Sequence, residues 1–211
     1  MLTFKILYSY KIVGKENLQK AAKEGFVVIT ETHSSFVGSF LMGASVYSIL
    51  SDLPYGIIGE RLKKDPFAYF FVKQLRAIYV DENQRDNRRA LQEMENVIVE
   101  KRSKSLIIAP QGDLVPFNPD LIKFKQGFAI PVLNAVKKGA SVYIVPAITP
   151  GTPYACTWPQ VFQLWSKFIL PGKSRIHNVF GEPIKVMPGI NRRELTQIVE
   201  DAVKDLMRKH V

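Results

Sequence analysis

Two short polar stretches in this sequence stand where chemistry is done in α/β proteins. The first is Thr32-His33-Ser34-Ser35, directly after the apolar run Phe26-Val27-Val28-Ile29-Thr30. The second is Pro110-Gln111-Gly112-Asp113, directly after Leu106-Ile107-Ile108-Ala109. In open α/β sheets, ligands bind beyond the carboxyl ends of strands. A neutral imidazole at such a lip can take the proton of a hydroxyl as general base. The helix expected after His33 would add unpaired N–H groups and the positive end of a dipole. A histidine in a strand–helix turn can equally be structural, satisfying its neighbours by hydrogen bonding. His177 and His210 read as structural or exposed. Three scattered histidines and the lone Cys156 make no metal-binding set.

The elements that must position these stretches follow from periodicity. The run at 26–30 is β-branched and apolar without alternation, as in a strand covered on both faces. Further strands are expected at 6–13, 55–59, 76–80, 105–109, 141–146 and 175–180. Helices are expected at 17–23, from after His33 through Phe40 to Leu50, and at 66–73, 85–101 and 128–138. In the helix at 85–101, Leu91, Met94 and Ile98 share a face. Asn191 is a good N-cap for the last helix, with Glu194 three residues on as in a capping box. Its apolar stripe is read as Leu195, Ile198, Val199, Ala202, Leu206 and Met207. Alternating strands and helices predict an α/β fold, a layered mixed sheet flanked by helices, formed by one domain spanning 1–211.

Charge and hydropathy narrow the partners. There are 29 Lys+Arg against 19 Asp+Glu, a net charge of +10, which attracts polyanions or simply keeps the chain soluble. A nucleic-acid partner is not expected, because no binding motif or aromatic–basic strand pattern is present. The N-terminal segment is too interrupted by lysine for a signal peptide. No apolar run reaches the ~18 residues of a membrane span. Trp158, Phe162, Trp165 and Ile169 fall on one helical face, with Lys167, Lys173 and Arg175 nearby. Such a face suits a bilayer interface or an ordinary core. With the positive charge, it points to a peripheral protein on an anionic membrane surface. A single cysteine fits a cytoplasmic setting, hence the inner face of the membrane.

The order of the motifs resembles the PlsC-like glycerophosphate and lysophosphatidate acyltransferase family, from about residue 12 to 186. Val13-Gly14-Lys15-Glu16-Asn17-Leu18 is similar to the family's G-x-E-N-L lead-in. The segment from Val27 to Phe36 matches the start of its H-x-x-x-x-D block. Leu75 to Asp81 is similar to its second block, and Leu106 to Gly112 to its F-P-E-G-T block. Phe124-Lys125-Gln126-Gly127, Ile144 to Ile148 and Gly181-Glu182-Pro183-Ile184 follow in the family's order. The resemblance implies transfer of a fatty acyl group from acyl-CoA or acyl carrier protein to a hydroxyl of a lipid or glycerol-phosphate-like acceptor. It implies no cofactor, the thioester being a substrate. It implies His33 as general base.

The chain departs from the family where chemistry is expected. Gly38 stands where the orienting aspartate belongs, Gln111 replaces glutamate, and Glu82 occupies a position where the family often has arginine. A carboxylate there would repel phosphate. Asp113, in the second lip, and Glu31, two residues before His33 on the same strand face, are the candidate replacements for the lost aspartate. Ser34 and Ser35 are candidates for ordering the turn and meeting substrate. Gln111 and Gly112 would line the pocket, with backbone N–H groups offered to an oxyanion. Arg85, followed by Arg88 and Arg89, and Lys123 with Lys125 are candidate phosphate contacts, or ordinary surface cations. The alternative function is a catalytically inactive relative that binds lipid.

Overall fold

The computed structural model describes residues 11–34, 36–64, 69, 72, 75–81, 87–151 and 177–210. The helix expected at 66–73 and the aromatic face at 158–169 fall almost wholly outside this set, as do Cys156, Ser35 and Arg85. In chain order the strands are β1 (Lys11–Val13), β2 (Phe26–Glu31), β3 (Tyr55–Gly59), β4 (Arg76–Val80), β5 (Ser105–Ile108), β6 (Val142–Ile148), β7 (His177–Phe180) and β8 (Ile184–Lys185). The helices are α1 (Lys15–Glu24), α2 (Phe36–Leu50), α3 (Arg88–Val99), α4 (Ala129–Lys137) and α5 (Arg192–His210). The strands form one sheet in the order β1-β7-β6-β2-β5-β3-β4, with β8 paired to β6. β7 and β8 run antiparallel to β6, and every other pairing is parallel. This is the mixed α/β sheet that the alternating pattern predicts.

β2 lies inside the sheet and is buried along its whole length. Its side chains alternate between two apolar layers. Phe26 and Val28 join the layer formed with α3, α4 and α5. Val27 and Ile29 join the layer formed with α1 and α2, through Leu18, Met42 and Val46. Parity then puts Glu31 on the α2 side.

The G-x-E-N lead-in has a local cause. Gly14 caps α1 with φ of 72°, and a Cβ there would collide with the Phe180 carbonyl. Asn17 donates to that same carbonyl at 3.2 Å, tying α1 to β7. At the other end of the chain, Asn191 Oδ1 accepts the Glu194 N–H at 2.9 Å, as capping chemistry requires.

Some expected boundaries shift. Among the described residues α3 begins at Arg88, and Asn87 before it bridges both backbone groups of Asp81, each at 3.0 Å. β6 continues past Pro146, since Ala147 and Ile148 pair with Phe180 and Val179. The Pro146 carbonyl accepts from the Gly181 N–H at 2.8 Å, which carries the pairing past the proline. On α5 the buried stripe is Leu195, Val199, Val203 and Met207, while Ile198 is 40% exposed. The helix meets the sheet through i, i+4 spacing, a narrower face than the sequence stripe.

Candidate active site

β2, β3, β5 and β6 are mutually parallel along their pairings, so their carboxyl ends share one edge of the sheet. The two polar lips meet there. The His33 N–H donates to Gln111 Oε1 at 2.7 Å, and the His33 carbonyl accepts the Val115 N–H at 2.9 Å. His33 is therefore stitched by its backbone to the loop after β5. Because only the amide oxygen can accept from a backbone N–H, this contact also sets which way the Gln111 amide faces. Gln111 is buried, and its Nε2 has no hydrogen-bond partner among the described residues.

The imidazole is partly buried. Its Nδ1 lies 3.1 Å from Ser39 Oγ, in the first turn of α2. Burial, and then the charge of Arg61, push the His33 pKa down to about 4, against a smaller upward pull from Asp113. The ring is thus neutral at physiological pH. Glu31 is 3% exposed and hydrogen-bonded to Ser39. Burial lifts its carboxyl to about 7, partly offset by that hydrogen bond. Its Oε2 is buried without a partner among the described residues.

Of the two candidate carboxylates, Glu31 lies inside the site, sharing Ser39 with the imidazole. Asp113 is exposed and ion-paired to Lys125 at 3.2 Å, and it acts on the imidazole through its charge. Gly112 adopts φ of 77°, and its N–H closes a turn onto the Ala109 carbonyl at 3.1 Å. That N–H is consumed, so the expected oxyanion donor at Gly112 is not offered. Ser34 is buried in the turn. Lys123 is exposed, and Lys125 is engaged by Asp113. Arg88 and Arg89 are exposed at the start of α3.

Two participants escape sequence reasoning. Ser39 stands one residue beyond Gly38, and its hydroxyl takes up the ring nitrogen that a carboxylate would hold. Its only sequence signal is a small polar residue near the start of a helix without a charged side chain, a helix that also holds Ser45 and Ser48. Arg61 belongs to the 3₁₀ turn Glu60–Lys64 that follows β3. Being at the carboxyl end of a strand parallel to β5, it was legible in principle as a third lip.

The family profile described as Acyltransferase matches residues 9–149. The fold is similar to the crystal structure of the 1-acyl-sn-glycerophosphate (LPA) acyltransferase PlsC from Thermotoga maritima. The two chains are 18% identical with a TM-score of 0.58, over 97% of this chain and 73% of that one. At that identity the likeness speaks for the fold. No curated protein sequence matches the chain.

Proposed function

The chain belongs to the Acyltransferase family, and from that premise we propose that it moves a fatty acyl group from a thioester to a hydroxyl, with His33 as general base. The donor is acyl-CoA or acyl carrier protein, and the acceptor is a lipid or glycerol-phosphate-like alcohol. The observation that carries this reading is a neutral imidazole at the carboxyl edge of the sheet, within Coulombic reach of Arg61.

The acceptor O–H gives its proton to Nε2 as its oxygen attacks the thioester carbonyl carbon. A C–O bond forms, the carbonyl oxygen becomes an oxyanion, and the intermediate collapses with rupture of the C–S bond. The departing thiolate takes the proton from the imidazolium, leaving an ester, a free thiol and the neutral ring. A base with pKa near 4 is weak for this task, since efficiency peaks near the working pH. An anionic acceptor answers that problem. Its phosphate beside Arg61 offsets one of the two causes that depress the ring and adds an attractive charge. The base would then strengthen on substrate binding.

The +10 charge supports action at an anionic membrane surface, with the cytoplasmic face as the expected side. No helix among the described residues is long and apolar enough to cross a membrane. The Gly38 departure favours one second reading, an inactive relative that binds lipid. The test is ester formation, followed by mass spectrometry, from acyl-CoA and acyl carrier protein donors with glycerol 3-phosphate and lysophosphatidate. Turnover by the wild type that His33→Ala abolishes supports acyl transfer. No ester from any pair, with binding to phosphatidylglycerol vesicles retained, would establish the inactive reading.

A further inference from the structure

We propose that Ser39 is a positioning residue that links His33 to Glu31, a hydrogen-bonded chain replacing the absent carboxylate at position 38. The inference rests on the reading of His33 as the base. Three observations carry it. Gly38 offers the ring nothing from its side chain, yet Nδ1 has a side-chain partner, Ser39 Oγ at 3.1 Å. The same Ser39 hydroxyl is hydrogen-bonded to the Glu31 carboxyl. Glu31 is buried on the α2 side of β2, which is the side its strand parity dictates.

The chemistry of the three groups sets the direction of the chain. A hydroxyl has one hydrogen to give and two lone pairs to accept with, and an ionised carboxylate can only accept. Once Glu31 is ionised, above its raised value of about 7, Ser39 gives its hydrogen to the carboxylate and accepts the hydrogen on Nδ1. That arrangement holds the imidazole as the Nδ1–H tautomer, which puts the ring's lone pair on Nε2, the atom that takes the acceptor proton. It also stabilises the imidazolium formed during transfer, through a polarised hydroxyl instead of a direct carboxylate contact. Among the described residues, the charged groups acting on the ring are Arg61 from the turn after β3 and Asp113 from the loop after β5, while Glu31 reaches it through Ser39. α2 itself contributes none.

The experiment combines spectroscopy with kinetics on the full chain. In the wild type, long-range ¹⁵N–¹H spectra of the His33 ring at pH 8, where Glu31 is mostly ionised, are expected to show protonated Nδ1. In Ser39→Ala the ring should shift toward the Nε2–H form, and Ser39→Thr, which keeps the hydroxyl, should restore the original tautomer. With an active donor–acceptor pair, Ser39→Ala and Glu31→Gln should each lower kcat by roughly 10²-fold, with little change in KM. The loss should be smaller than the ~10⁴ seen when a charged orienting carboxylate is neutralised directly. Adding Gly38→Asp to Ser39→Ala should recover activity by supplying a direct partner. An unchanged His33 tautomer in Ser39→Ala overturns the proposal, whatever the kinetics. Absence of turnover in the wild type defeats the acyl-transfer reading instead, and the tautomer measurement still decides the chain of hydrogen bonds.

Discussion

Replacing Glu31 by glutamine should stabilise the protein at high pH relative to low pH. Glu31 is 3% exposed, and burial carries its carboxyl from 4.5 to about 7. Between these values the folded chain holds a proton that the unfolded chain has released. The carboxyl thus favours folding fully below pH 4.5, and that advantage is lost as pH rises through 7. By linkage the charged carboxylate costs the fold about 3 kcal/mol well above pH 7, most of which accrues between pH 5 and pH 8. Glutamine keeps the shape and removes the charge. It leaves an amide N–H₂ near where Oε2 lacks a partner, a cost of about 1–3 kcal/mol, but that cost is the same at both pH values and cancels in the comparison. Guanidinium denaturation of both proteins at pH 5 and pH 8 measures it. The variant should gain about 2 kcal/mol relative to wild type on going to pH 8, or about 4–8 °C in Tm for a chain of this size. An identical difference at both pH values would mean that Glu31 ionises as freely in the fold as in the unfolded chain, and the burial argument would be wrong.

His33 predicts the opposite slope. Its pKa is lowered from 6.5 to about 4, so the unfolded chain takes the proton first and stability falls as pH drops from 6.5 toward 4. His33→Gln should flatten that limb by about 1–2 kcal/mol, allowing for partial exposure, as read by denaturant midpoints at pH 4.5 and pH 7. Arg61→Gln removes a repulsive charge, so the His33 pKa should rise in an NMR titration, and KM for a phosphorylated acceptor should increase about tenfold. An unmoved pKa would show that Arg61 does not act on the ring. Gly14→Ala should cost roughly 2–3 kcal/mol, since φ of 72° and the Phe180 carbonyl both oppose a Cβ. A Tm within a degree or two of wild type would contradict that close approach.

The architecture was legible because its determinants are local. The unbroken apolar run at 26–30 marked β2 as doubly covered, and the structure buries Phe26–Glu31 throughout. The helix through Phe40 to Leu50 and the Asn191 cap of α5 were readable from composition and spacing alone. What misled were residues whose role depends on a distant partner. Pro146 looked like a strand end until β7 was seen to pair beyond it. Ile198 fits a helical stripe yet points away from the sheet, because α5 packs through a narrower face. Gly112 looked like an oxyanion donor, and its N–H is spent on Ala109.

By itself the sequence determined that His33 follows the end of a buried strand, that Glu31 stands two residues before it, and that position 38 carries no carboxylate. These follow from a two-residue period and the identity of single residues. Only the tertiary structure decided that Gln111 reaches the His33 backbone, that Arg61 lies near the ring and that Ser39 stands between imidazole and carboxyl. Which loops meet depends on lateral strand order, set by long-range pairing. Which side chain of α2 faces the ring depends on helix phase, where one residue turns the face by about 100°.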